Sequence, residues 1–146
     1  IDYEDVSDEY SAYVTKAMEQ YILTGEQDKK LRPMDEVTKA EFHAMLIRAA
    51  ELEIAGKYRK KYTDIASGHW FAGYAQTVFK YGLATHDKGY FNPNDSVNSD
   101  SAQYALKKVF ESDLELTETQ NALFFEGLTR EEAVFLILSY MEAVAR

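Results

Sequence analysis

Residues 29–42, KKLRPMDEVTKAEF, and residues 89–102, GYFNPNDSVNSDSA, share one order of side chains: an apolar residue, a spacer, proline, an acidic loop, valine and a helix-capping residue. The correspondence runs well beyond these stretches. A displacement of sixty residues sets Tyr10 on Trp70, Ala12 on Ala72, Tyr21 on Tyr81, Leu23 on Leu83, Leu31 on Phe91, Pro33 on Pro93, Asp35 on Asp95 and Val37 on Val97. Upstream, YEDVS (Tyr3 to Ser7) matches YTDIA (Tyr62 to Ala66) with one residue of slippage. A third, partial copy, LTREEAVFLIL (Leu128 to Leu138), reads against VTKAEFHAMLI (Val37 to Ile47) but lacks the proline lead-in. Such repeats stack so that neighbours bury the apolar faces that a single unit leaves exposed.

Each copy reads as two helices around a structured loop. Tyr10, Tyr13, Val14, Ala17, Met18 and Tyr21 recur at helical spacing and form one apolar stripe. The partner helix begins near Lys39 and carries Phe42, Met45, Leu46 and Ala49 on its buried side. Thr38 and Glu41 form a T-x-x-E capping box, in which hydroxyl and carboxylate satisfy first-turn amides that have no partner within the helix. Thr129 and Glu132 repeat the box ahead of Ala133, Leu136, Ile137, Tyr140 and Val144. In the middle copy Trp70, Tyr74, Thr77, Val78 and Tyr81 make the first stripe, and Ala102, Ala105, Leu106, Val109 and Phe110 the second. There Asn98 or Ser99 supplies the cap, and Ser101 stands where the box wants Glu. A further short helix starts at Thr117 and stops at Gly127; 57–61 is a basic linker. No window shows sustained strand alternation, so the expected class is all-α.

Composition removes several function classes. A formal net charge of −9 opposes binding to nucleic acid or anionic lipid through bulk electrostatics. With no cysteine there is no thiol nucleophile, disulfide framework or Cys-based zinc site. No run approaches the ~18 apolar residues of a membrane helix, so no membrane insertion is expected. His43, His69 and His86 lack zinc spacing and read as structural or surface residues. Asp87, Asn92, Asn94 and Asp95 lack the D-x-D-x-D-G loop and distal Glu of a calcium site, so no metal and no cofactor is expected. There is no G-x-S-x-G and no phosphate-binding glycine loop, and Glu131 and Glu132 are adjacent at a helix start, better suited to the helix dipole than to acid–base work. The expectation is a protein that is not an enzyme.

The ordered motifs resemble the S-layer homology (SLH) module: aromatic-x-Asp-Val, His-Trp-Ala, a helix ending in Gly-Ile, a Gly-x-Phe-x-Pro loop and a Thr-Arg-Ala-Glu helix start. Residues 62–97, YTDIASGHWFAGYAQTVFKYGLATHDKGYFNPNDSV, match nearly all of that up to the last motif. The first copy supplies YEDV, LRP and VTKAEF, and the last supplies LTREEA. The resemblance implies tandem helix–loop–helix repeats packed as a pseudo-trimeric helical bundle. The whole of 1–146 would be one SLH-type domain, with repeats at about 1–56 and 62–111 and a partial third at about 112–146. It also implies a secreted, non-catalytic module at a Gram-positive cell surface, bound to anionic, pyruvylated cell-wall polysaccharide. The alternative is a helical protein-interaction module that keeps the fold, has lost the glycan and binds another surface protein.

Carried over position by position, the family's motif arginine is Lys39 in the first copy, Arg130 in the third and Ser99 in the second. A cation at a helix N-terminus, beside amides and the positive end of the dipole, favours an anion. Arg130 is expected to carry more affinity than Lys39, because a guanidinium makes bidentate bonds that an ammonium does not. Trp70 offers an aromatic face for a sugar ring or plugs the core; Tyr10 is its counterpart in the first copy. Thr38 and Thr129 complete the candidate ligand-binding set, with a structural capping role as the plainer reading. At most two competent grooves are expected.

Overall fold

In the computed structural model, which describes residues 11–19, 35–54, 56–86 and 88–145, the chain folds into helices joined by structured loops. Their order is α1 (Ser11–Glu19), α2 (Lys39–Ala49), α3 (Ala72–Tyr81), α4 (Ser99–Phe110), α5 (Glu118–Leu123) and α6 (Arg130–Ala145). Among the described residues β structure is limited to two isolated bridges, Glu36 with Thr129 and Thr38 with Ser96.

The caps set where these helices begin. Thr38 Oγ1 accepts from Glu41 N at 3.1 Å while Glu41 Oε1 accepts from Thr38 N at 2.9 Å, closing the first box. The Thr129–Glu132 pair does the same at 3.2 and 2.8 Å. Asn98, not Ser99, caps α4, its Oδ1 accepting from Ser101 N at 3.0 Å. The box at Thr117 is completed by Gln120. That helix ends at Leu123, short of the expected Gly127, because Phe124 turns inward and is buried at the C-cap.

α2 is buried on most of its surface because it lies between two cores. Phe42, Met45 and Leu46 join Val14, Ala17, Leu106, Leu136, Ile137 and Tyr140 in the first. Ala40, Ala44 and Ile47 face Tyr62, Ile65, Phe71, Val78 and Phe91 in the second. A helix with this pattern is stable only inside a protein. α1 packs on α6 and α3 on α2, while α6 also meets α2 and α4.

The ring closes through backbone bonds at three equivalent helix starts. Lys39 N donates to Asp95 O at 2.7 Å, Ser99 N to Phe124 O at 3.0 Å, and Arg130 N to Asp35 O at 2.9 Å. The loop before α4 thus holds the start of α2, the end of α5 holds the start of α4, and the loop before α2 holds the start of α6. This is a pseudo-threefold helical bundle.

Within the second copy, Asp64 explains why two distant motifs travel together. Its carboxylate accepts from Phe91 N at 2.9 Å and Asn92 N at 2.7 Å, pinning the Gly-x-Phe-x-Pro loop to the Tyr-Thr-Asp segment. Thr63 N adds a bond to Gly89 O at 2.8 Å. Gly89 is at φ +85, and a Cβ there would come within 3.2 Å of Thr63 Oγ1, so the loop start needs glycine. The corresponding residues of the first copy, with Tyr10, Tyr21 and Pro33, lie outside the described residues.

Candidate functional site

Lys39 is the first residue of α2, and its side chain opens into a cleft of about 190 Å³ between α2 and the second repeat. Lys39 and His43 form one wall, Ala84 and Thr85 after α3 another, and Asp100, Ser101 and Tyr104 of α4 the third. Lys39 Nζ donates to Thr85 O at 3.4 Å and lies 4.5 Å from the centre of the Phe91 ring. Burial lowers its pKa from the usual lysine value, while the nearby carboxylates of Asp95 and Asp64 act in the opposite direction and favour the charge. A cation at the positive end of a helix opposes the dipole, at a cost of about 0.3–1 kcal/mol. The helix dipole therefore gives no reason for Lys39, whose ammonium is held instead by the Thr85 carbonyl, the Phe91 ring and the charges of Asp95 and Asp64.

His43, one turn below, is 1% exposed, with Nδ1 2.7 Å from Lys39 O. Burial first, and the Lys39 charge with it, holds its pKa down at about 4, against the pull of the Lys39 and Leu83 carbonyls. The ring is neutral at physiological pH. It donates from Nδ1 to the Lys39 carbonyl, so α2's own backbone orients it.

The other candidate residues are placed differently. Arg130 opens α6 as expected, but its Nη1 lies 3.1 Å from Glu41 Oε2, across the interface between the starts of α2 and α6. Thr38 and Thr129 are engaged as caps, and neither lines the Lys39 cleft. Ser99, the third equivalent position, is buried at 2% exposure. Trp70 is 58% exposed and is no core plug. It precedes α3, lies against His69 at 5.9 Å between ring centres, and also stands outside that cleft.

The first three amides of α2 are also occupied from within. Lys39 N and Ala40 N donate to the Asp95 and Pro93 carbonyls, and Glu41 N to its cap. The start of α2 therefore offers the cleft the Lys39 ammonium and not a row of unpaired amides, which corrects the expectation drawn from the helix end alone. Sequence reasoning also missed the far walls. Thr85, Asp100 and Tyr104 carry no motif, and only the packing of the second repeat against α2 brings them to Lys39.

The family model for the S-layer homology domain matches residues 2–42 and 61–98, together more than half of the chain. The chain belongs to the S-layer homology domain family. The two matched segments contain the lead-in motifs of the two sequence repeats, and the first ends inside α2, just beyond Lys39. Similar stretches occur in much larger proteins. The chain is 24% identical over 112 residues to Exoglucanase XynX of Acetivibrio thermocellus, covering 76% of this chain and 10% of that protein. It is 26% identical over 110 residues to an amylopullulanase of Thermoanaerobacterium thermosulfurigenes, covering 75% and 6% respectively. It is 30% identical over 112 residues to an endoglucanase of Bacillus sp. (strain KSM-635), covering 74% and 12%. The matched region is thus a small part of each relative. No helix among the described residues is long and apolar enough to cross a membrane.

Proposed function

We propose that this chain is a non-catalytic anchoring module that binds anionic secondary cell-wall polysaccharide at a bacterial surface. The observation that carries the reading is Lys39, a cation set against its own helix dipole and opening into a cleft between two repeats. Family membership supports the anchoring role, and the relatives, named for action on polysaccharides, contain the similar stretch as a small part. In this reading the Lys39 ammonium pairs with an acidic substituent such as a pyruvyl carboxylate, and Asp100 and Ser101 meet ring hydroxyls. Arg130, Thr38 and Thr129 act one step back, holding the helix starts that frame the cleft. Trp70 presents a separate aromatic face to a sugar ring. The three units are assigned to about 1–56, 62–111 and 112–146, the last shortened in its first helix. Titration of purified wall polysaccharide into the wild-type chain and Lys39→Ala tests the reading, with weakened binding expected for the variant.

A second reading, a protein-interaction module, rests on the third unit. Leu123 and Phe125 are 61% and 67% exposed there, on a short segment beside the one buried serine among the three equivalent helix starts. Loss of glycan binding with retention of the fold would favour it, and capture of a surface protein that depends on Leu123 and Phe125 would establish it.

A further inference from the structure

A second cavity, of about 360 Å³, adjoins the Lys39 cleft and shares Ala84, Thr85 and Tyr104 with it. It lies inside the second repeat, between the end of α3 and the middle of α4, where no sequence motif points. Its walls are aromatic and basic: Phe79 and Tyr104 are 41% and 40% exposed, and Lys108 and His86 stand at its edge. Lys108 Nζ lies 4.8 Å from the centre of the Tyr104 ring, and Lys61 Nζ lies 5.2 Å from that of Phe79. Among the described residues, none that lines it is an acid, although the chain carries a net charge of −9. Among the described residues Lys108 is in no ion pair.

We propose that this cavity is a second subsite for the same polysaccharide, so that at least two consecutive sugars are bound along one groove. The inference rests on the anchoring reading and extends it. The first sugar places its acidic substituent on Lys39. The chain then passes Tyr104, the wall common to both cavities, and the next sugar packs against the exposed parts of the Phe79 and Tyr104 rings with an acidic substituent toward Lys108. Continuity and charge select this occupant. A polymer already held at Lys39 must leave the cleft, and on the Tyr104 side it meets aromatic rings and an ammonium with donors to offer, the pairing that sugar rings and their carboxylates favour.

Fragments of purified wall polysaccharide, separated into single sugars and oligosaccharides, provide the test by calorimetric titration of the intact chain. The wild type binds the oligosaccharide at least tenfold more tightly than the single sugar. Lys108→Ala and Phe79→Ala lose about that factor for the oligosaccharide and bind the single sugar unchanged, whereas Lys39→Ala weakens both. Phe79 and Lys108 are exposed, and unchanged thermal melting of the variants excludes misfolding. Oligosaccharide binding that ignores Lys108 and Phe79, or no gain from the second sugar, overturns the subsite and leaves the anchoring reading intact. Absence of binding to every fragment by the wild type overturns both.

Discussion

Glu41 joins two helix starts at once: Oε1 accepts from Thr38 N at 2.9 Å to close its own cap, and Oε2 lies 3.1 Å from Arg130 Nη1 at the start of α6. A residue that reads in the sequence as a local capping acid therefore also links the first repeat to the last helix. The side chains of Arg130 and Glu41 are 14% and 36% exposed, enough shielding to strengthen the pair above an ordinary surface bridge. Arg130→Ala should cost about 1.5–3 kcal/mol of stability, the range for a hydrogen bond to a charged group. A double-mutant cycle with Glu41→Ala, read by urea denaturation, should show the two substitutions to be strongly non-additive. Additive losses would mean that the pair does not couple the two helix starts.

Asp64 provides a second stability prediction. Removing its carboxylate frees two loop amides, those of Phe91 and Asn92, the latter at φ 60. Asp64→Ala should destabilise by about 2–3 kcal/mol. Asp64→Asn should fall between, because an amide oxygen accepts from these donors but carries no charge. Hydrogen exchange at Phe91 and Asn92 should rise in both variants. Unchanged protection there would separate the loop's order from the carboxylate.

The pH dependence of stability follows from His43. Its folded pKa, about 4, lies below the ordinary 6.5, so the unfolded chain binds a proton that the native state refuses between these values. The His43 contribution is fully present above about pH 6.5 and is lost as pH falls through that window, by on the order of 3 kcal/mol at about 1.4 kcal/mol per pH unit. Carboxylates titrate in the wild type and the variant alike, so the difference between wild type and His43→Leu isolates the term. That difference should narrow or reverse from pH 7 to pH 4. A constant difference across the window would contradict a buried neutral imidazole.

Much of this fold is legible in the residues because the repeat declares itself twice. The spacing of Phe42, Met45 and Leu46, the Thr38–Glu41 box and the Asn98 cap are local signals, and local signals survive without knowledge of neighbours. What the sequence hides is non-local. Ala40, Ala44 and Ile47 give no hint that α2 also serves a second core, and nothing in the third copy shows that Phe124 O receives Ser99 N and closes the ring. Val144, placed on the buried stripe by periodicity, is 52% exposed near the end of α6. The cationic positions of the site could be read from the motif, whereas the partners that decide their roles could not. Arg130 and Lys39 occupy the same motif position, yet Arg130 meets Glu41 while Lys39 opens into a cleft.

The contrast between the three equivalent positions yields a binding prediction. Lys39→Ala should weaken polysaccharide binding by about 1.5–3 kcal/mol, the range for a hydrogen bond to a charged group. Ser99→Ala, at a buried position with no cation, should leave affinity unchanged. Binding should also fall as salt is raised, since charge attraction at an open cleft is screened over about 8–10 Å near physiological ionic strength. Equal affinity of Lys39→Ala and wild type, with no salt dependence, would place the ligand elsewhere on the molecule.

In the proposed role this chain holds a bacterial wall through its secondary polysaccharide. Sedimentation of the purified chain with Gram-positive cell walls, before and after that polysaccharide is stripped, tests it most directly. The account predicts that the chain pellets with intact walls, remains in solution with stripped walls, and pellets less when Lys39 is replaced by Ala. Equal pelleting with intact and stripped walls, or none with either, would contradict it.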